Sequence, residues 1–155
     1  MGYGPSVHAA NRGAGHGLNG MPASSLMSVL GILLLLQLKH SVFDGPLQLR
    51  WMLRDKGYYG KPGGLAHAGL HGIGTIVAFV LCSHDPAVAL LLGAVDAAVH
   101  YHVDFAKESL VRARKWTPEK PQFWWALTTD QFLHQLTYLA LTAAALTNLS
   151  PSIWS

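Results

Sequence analysis

The sequence predicts an all-α fold, a four-helix bundle embedded in a membrane. Half of the 155 residues are hydrophobic and only 12% are charged, about half the roughly 25% that is typical of a soluble domain. Four long apolar stretches, separated by polar segments, contain most of the hydrophobic residues. A chain of this length forms one domain of ordinary size, so we expect a single membrane domain.

The four apolar stretches define the predicted membrane spans. About 20 apolar residues are needed to cross a hydrocarbon core of about 30 Å. The first stretch is not typical of a cleaved signal peptide, because no basic region precedes it and Lys39 follows its apolar run. We expect a membrane domain at residues 24–149, a flexible Gly-rich tail at 1–23 and a short polar tail at 150–155. The predicted spans are residues 24–43, 65–82, 87–103 and 124–149.

The basic residues predict the orientation of these spans. They concentrate in two loops, residues 45–64 and 107–121, whereas the turn at 83–86 contains no Lys or Arg. Cytoplasmic loops are enriched in Lys and Arg, so both basic loops are expected in the cytoplasm and both termini on the other side. Aromatic residues interleave with the basic ones in the first loop, and residues 47–53 are predicted to form a short interfacial helix.

Ionisable side chains recur in pairs near one end of each span. Each pair has i, i+4 spacing, which places both side chains on one helix face a turn apart. With the predicted orientation, all four pairs fall at the cytoplasmic end of the bundle and at similar depth. An ionisable side chain within a membrane is costly, so such residues pair with one another or form a functional site. The pairs are His40 with Asp44, His67 with His71, His100 with Asp104, and Asp130 with His134.

These pairs predict a metal centre built from nitrogen and oxygen ligands. Cys82 is the only cysteine, so no C-x-x-C thiolate site exists. Four-helix bundles hold metals on side chains that project inward from facing helices. The ligand type favours zinc as the divalent ion, with iron or manganese as alternatives. Two ions, or one ion with an outer ring of polar groups, would use the five imidazoles and three carboxylates. The alternative interpretation is that the pairs are only inter-helix hydrogen bonds or ion pairs.

Further polar residues lie beside the predicted ligands. Asp96 is one turn from His100 and is expected to orient that imidazole or to belong to a proton path. His102 points to another side of the same helix, and His84 lies in a turn where we expect it to be solvated, so neither joins the ligand set. Three residues flank the cluster and would position a substrate oxygen, namely Gln48, Lys107 and Gln131. Lys107 also suits the role of an interfacial anchor.

Several short segments of this sequence occur together in one known family. They are His40-Ser-Val-Phe-Asp44 with Leu47-Gln48, His67 to His71, His100 with Val103-Asp104-Phe105-Ala106-Lys107, and Asp130-Gln131-Phe132-Leu133-His134. At these residues the sequence resembles a bacterial and phage membrane family, the domain of unknown function 3307, over roughly residues 30–146. Gly45-Pro46 departs from the aliphatic continuation of similar sequences. The resemblance implies a small multi-span protein of the bacterial inner membrane, and it implies no reaction.

The leading functional hypothesis is a metal-dependent hydrolase that acts on a substrate near the cytoplasmic membrane face. A bound ion would lower the pKa of a water to about 7 and polarise a carbonyl or phosphoryl oxygen, and Asp104 or Asp130 would act as the base. A di-iron oxygenase ranks lower because further His-His motifs are missing. The non-catalytic alternative is a metal or proton carrier or a scaffold. The net charge of +3 lies mainly in loops beside the spans, so lipid rather than nucleic acid is the expected partner.

Overall fold

The computed structural model describes residues 23–148, which form five α-helices and no strand. The all-α prediction is confirmed for these residues. The tails predicted at residues 1–23 and 150–155 lie outside the described part of the chain, apart from Ala23. The helices are α1 (Ala23–Asp44), α2 (Arg50–Asp55), α3 (Pro62–Leu81), α4 (Pro86–Ala113) and α5 (Pro121–Asn148).

Three of the helices are long and apolar enough to cross a membrane. They lie at Ser25–Asp44, Pro62–Leu81 and Pro86–Ala113, which supports the prediction of an integral membrane protein. Helix α5 has 28 residues and is long enough, but Gln, Thr and His residues recur along it and lower its hydropathy. The fourth span therefore stays a prediction.

The hairpin of α3 and α4 is the best-packed part of the bundle, and its sequence explains where each helix begins. Pro62 and Pro86 are the first residues of the two helices, where the missing N–H costs no hydrogen bond. The Asp85 carboxylate accepts hydrogen bonds from Ala87 N and Val88 N at 2.8 and 3.2 Å. It thereby satisfies two amides that the first turn of a helix leaves free.

The interior of the bundle is divided into an apolar half and a polar half. Helix α3 packs against α1, α2 and α4, and α5 packs against α4 and α1. Near the turn that joins α3 to α4, the four long helices bury mainly apolar and aromatic side chains, with Thr142 among them. Towards α2, the same helices bury histidines and carboxylates instead. The apolar half includes Ile32, Leu36, Phe79, Leu92, Tyr138 and Leu141.

Two predicted boundaries are wrong. The interfacial helix covers Arg50–Asp55 rather than residues 47–53, because Leu47 N bonds to Val42 O at 3.1 Å and closes a turn at the end of α1. Helix α4 continues past residue 103 to Ala113, so the first half of the loop predicted at 107–121 is helical. Charged residues after position 103 end the apolar run without ending the helix.

The extension of α4 packs against the segment after α2. The Arg112 guanidinium lies 3.7 Å from the centre of the Tyr58 ring, which is a cation–π contact. Arg112 Nη1 and Ser109 Oγ donate to Gly57 O at 3.4 and 3.3 Å. The end of α4 therefore fixes the backbone that leads from α2 to α3.

The prediction that His84 is solvated is also wrong. Its side chain is buried, with its ring 5.2 Å from the Phe79 ring and nearly perpendicular to it. The turn folds back on α3, because His84 N bonds to Phe79 O at 3.1 Å. Burial lowers the pKa of His84 below its usual value, since the charged form loses solvation.

Helices α3 and α4 approach most closely at Gly72 and Gly93, and this contact yields a prediction. A Cβ at Gly72 would lie 2.8 Å from Gly93 O and 2.9 Å from Ala97 Cβ. We expect Gly72→Ala to lower the free energy of unfolding by roughly 1–3 kcal/mol, because the helices must separate. The measurement is reversible unfolding in mixed detergent micelles. Gly69→Ala is the matched control, since nothing lies within 4 Å of its new Cβ. Equal losses in the two variants would contradict this packing.

Candidate metal centre

The polar half of the bundle brings all eight predicted ligands together. They come from the end of α1, the start of α3, the middle of α4 and the first half of α5. The four histidines of α3, α4 and α5 are 0–1% exposed. Asp44 is the most accessible member, with 18% of its side chain exposed. The ligands predicted from helix spacing are His40, Asp44, His67, His71, His100, Asp104, Asp130 and His134.

One group of four is spaced closely enough to hold a single ion. Asp44, His67, His71 and His100 each offer a ligand atom within 4.8 Å of the others. Asp44 Oδ1 lies 2.9 Å from His67 Nε2 and 3.5 Å from His71 Nε2. His67 Nε2 and His100 Nε2 are 3.1 Å apart. Ligands about 2.05 Å from a tetrahedral zinc ion are about 3.3 Å from each other, so these separations fit one ion.

A second group of three shares His100 with the first. His100, Asp104 and His134 also offer ligand atoms within 4.8 Å of one another. Asp104 Oδ2 lies 3.4 Å from His100 Nε2, and Asp104 Oδ1 lies 3.8 Å from His134 Nε2. Asp130 stands beside this group, with Oδ1 3.6 Å from His134 Nε2. His100 Nε2 has one lone pair and can bind only one ion. If it binds the first ion, Asp104, Asp130 and His134 would hold a second ion or form an outer ring around the first.

Several imidazole nitrogens in this centre are buried without a hydrogen bond. Within residues 23–148, His71 Nε2 and His134 Nε2 have no hydrogen-bond partner, and leaving a buried polar atom unsatisfied costs about 1–3 kcal/mol. A metal ion would satisfy such a nitrogen. Nδ1 of His67, His71 and His100 also lacks a partner, whereas metal-ligating histidines usually donate from that nitrogen. Ring packing holds these side chains instead, because His71 and His134 stack on His100 at centroid distances of 3.6 and 4.0 Å.

His40 lies at the edge of the centre and forms hydrogen bonds with two side chains of α5. Its Nε2 is 2.9 Å from Gln131 Oε1 and its Nδ1 is 2.9 Å from Tyr138 Oη. An amide oxygen only accepts, so Nε2 carries the proton and Nδ1 accepts from the tyrosine. His40 Nε2 is also 3.2 Å from Asp44 Oδ2. Both nitrogens of this predicted ligand are therefore engaged by protein groups.

The two predicted glutamines contact carboxylates of the centre. Gln48 Nε2 donates to Asp44 Oδ1 at 3.2 Å, and Gln131 Nε2 donates to Asp130 Oδ2 at 3.2 Å. Lys107 is half-buried and pairs with Glu108 Oε1 at 2.5 Å. His102 is exposed, and its Nδ1 bonds to Ala98 O at 2.7 Å, so it lies outside the centre as predicted.

Lys56 is a member of the centre that sequence reasoning missed. The prediction placed it in a basic cytoplasmic loop and outside the ligand set, but only 4% of it is exposed. Its Nζ lies 2.7 Å from Asp104 Oδ2 and 3.7 Å from Asp44 Oδ1. The ammonium therefore joins a carboxylate from each of the two groups. The signal in the sequence is Gly57, which directly follows Lys56. The chain turns there, after α2, and returns to the bundle.

Asp96 has different partners from those predicted. It lies one turn deeper than His100, but its Oδ2 pairs with Lys39 Nζ and accepts from Thr75 Oγ1 at 2.6 Å. Lys39 Nζ also donates to His71 O at 3.0 Å. Asp96 and Lys39 are both buried. Asp96 thus neutralises a lysine inside the bundle and does not orient His100.

No family model, curated protein or solved structure matches this chain. The resemblance to the membrane family stays a prediction, and function has to be inferred from the centre itself.

Proposed function

We propose that this protein is a metal-dependent hydrolase of the bacterial inner membrane, with α5 as the fourth span and the metal centre at the cytoplasmic end. Three apolar helices support the membrane location. The basic loops beside α2 and after α4 favour the cytoplasm for that end of the bundle. Four helices that meet around buried histidines and carboxylates are typical of metal centres in bundles.

Asp44, His67, His71 and His100 would hold the principal ion. The observation that carries the proposal is the set of separations of 2.9, 3.1 and 3.5 Å among their ligand atoms, because these fit the edges of a tetrahedron around zinc. Imidazole and carboxylate ligands also suit iron or manganese. Asp104 and His134 would hold a second ion or orient the ligands of the principal ion.

A bound ion would supply Lewis acidity for activating water and polarising a carbonyl or phosphoryl oxygen. Hydrolysis breaks the bond to the leaving oxygen, adds the hydroxyl of water to the acyl or phosphoryl centre, and delivers the proton to the leaving oxygen. Asp130 suits the transfer of that proton better than Asp104 does. Asp130 Oδ1 accepts no hydrogen bond, whereas Asp104 Oδ2 is occupied by Lys56 at 2.7 Å.

Metal analysis of the purified full chain tests this proposal. We expect at least one equivalent of zinc, iron or manganese in the unaltered protein. His71→Ala and Asp104→Asn should each reduce bound metal by about tenfold or more, since even outer partners of a metal site contribute that much affinity. His102→Ala is the matched control, because this histidine is exposed and lies outside the centre. Negligible metal in all four proteins would refute the metal centre.

A non-catalytic scaffold is the second candidate, and Lys56 is the observation that favours it. Its ammonium already compensates Asp104 and Asp44, so the histidines and carboxylates would serve only as inter-helix contacts. The metal measurement separates the two candidates. Bound iron together with a requirement for dioxygen would instead indicate the oxygenase.

A further inference from the structure

A groove between α4 and α5 lies directly beside the metal centre. Its volume is about 760 Å³, within the range of about 300–1,000 Å³ that is common for small-molecule sites. Its surface is mostly apolar, and it runs along the two helices from Ala98 and Leu133 to Leu110 and Trp116. The groove has the shape and polarity of a binding site for an elongated apolar group.

Asp130 connects the groove to the centre. Asp130 is one of the residues that line the groove, although only 4% of it is exposed. Among the described residues its buried Oδ1 has no hydrogen-bond partner, and this atom lies 3.6 Å from His134 Nε2. A molecule in the groove would therefore lie beside a residue whose carboxylate adjoins the proposed metal ligands.

The outer end of the groove lies beside a segment of net positive charge. Between residues 107 and 120 the chain has five basic and two acidic side chains. Lys107 and Trp116 line the groove itself, and Arg114 and Lys115 are exposed next to Trp116. Tryptophan and basic side chains together are typical of the headgroup layer of a membrane. This end favours an anionic group over a neutral one.

We propose that the groove binds the acyl chain of an anionic phospholipid-like amphiphile, which is the substrate class of the centre. The chain would lie towards Ala98 and Leu133, the ester bond beside Asp130, and the anionic headgroup towards Lys107. The substrate role rests on the proposed hydrolase function. Water would cleave the ester into a carboxylic acid and an alcohol, with Asp130 passing the proton of water to the alcohol oxygen.

Photolabelling of the full chain in lipid nanodiscs tests the binding site. The probe is lysophosphatidic acid with a diazirine in its acyl chain, and peptides are mapped by mass spectrometry. We expect labels in residues 98–110 and 122–133. Ala106→Trp and Thr129→Trp fill the groove from exposed positions and should reduce this labelling by about tenfold, as steric exclusion from an apolar site does. Leu90→Trp, on an exposed part of α4 outside the groove, is the matched control.

Two further probes separate the possible occupants. A diazirine monoacylglycerol, which is neutral, should label these segments less than the anionic probe, and inorganic phosphate should not compete with either. Equal labelling by both lipids, strong competition by phosphate, or labelling unaffected by the tryptophan variants would each overturn the proposal.

Metal content measured on the same samples distinguishes this inference from the hydrolase proposal. Specific labelling without bound metal would support the lipid-binding site. It would refute the hydrolase function and, with it, the substrate role of the lipid. Bound metal without specific labelling refutes the lipid site alone. With zinc bound, groove-filling variants should lose cleavage of a fluorogenic long-chain phospholipid ester, while their metal content stays unchanged.

Discussion

Asp96→Leu is expected to destabilise the protein by about 3–5 kcal/mol, because it leaves the Lys39 ammonium buried without its counter-ion. Lys39 is 8% exposed and donates to Asp96 and to His71 O. Within a membrane bundle no water is available to replace the lost carboxylate. Unfolding in mixed detergent micelles would measure the loss.

The double variant Lys39→Met with Asp96→Leu is the control for this prediction. Replacing both charges of a buried pair with apolar groups of similar size is often neutral or stabilising, so most of the stability should return. Thr75 Oγ1 loses its acceptor in both variants, and this cost cancels in the comparison. A double variant as unstable as Asp96→Leu would show that the ion pair is not what the single substitution breaks.

Lys56→Met is expected to be strongly destabilising without metal and nearly silent with it. Asp104 and Asp44 lose a shared cation when Lys56 is removed, and breaking a buried pair costs about 3–5 kcal/mol. Zinc stabilises the folded state of both proteins by mass action, so it reduces the loss only as far as the variant binds zinc more tightly. We expect tighter binding by the variant, because the ammonium that competes with the ion for Asp104 and Asp44 is gone. An affinity about 1,000-fold higher would offset about 4.1 kcal/mol.

The measurement compares unfolding of the unaltered protein and the variant, each in chelator and in excess zinc. Lys61→Met is the matched control, because Lys61 is exposed in the adjoining segment. If zinc leaves the loss in Lys56→Met undiminished, the carboxylates do not face a metal site, and the scaffold interpretation would prevail.

Helical periodicity was sufficient to find the histidines and carboxylates that the bundle buries together. Residues four apart share a helix face, and charged loops indicate which ends of the helices are neighbours. Spacing and loop charge together therefore place His67 with His71 and His100 with Asp104 at one level of the bundle. Gln48 and Gln131 followed from similar reasoning, since Gln131 is next to Asp130 on α5 and Gln48 lies four residues after Asp44.

The partners of the two lysines could not be predicted this way. Lys39 and Lys56 each pair with a carboxylate from a different helix, and no local pattern specifies such a contact. Hydrophobic composition also predicted the end of α4 too early, because charged residues can end an apolar run without ending the helix. Glu108 and Arg112 are good helix formers and continue α4 beyond its apolar part.

The projecting end of α4 links the protein surface to the buried charges. Ser109 and Arg112 hold the carbonyl oxygen of Gly57, the residue that directly follows Lys56. How far the Lys56 side chain extends into the bundle therefore depends on the position of the end of α4. A molecule that displaced this end by the length of one hydrogen bond would also withdraw the cation from between Asp44 and Asp104.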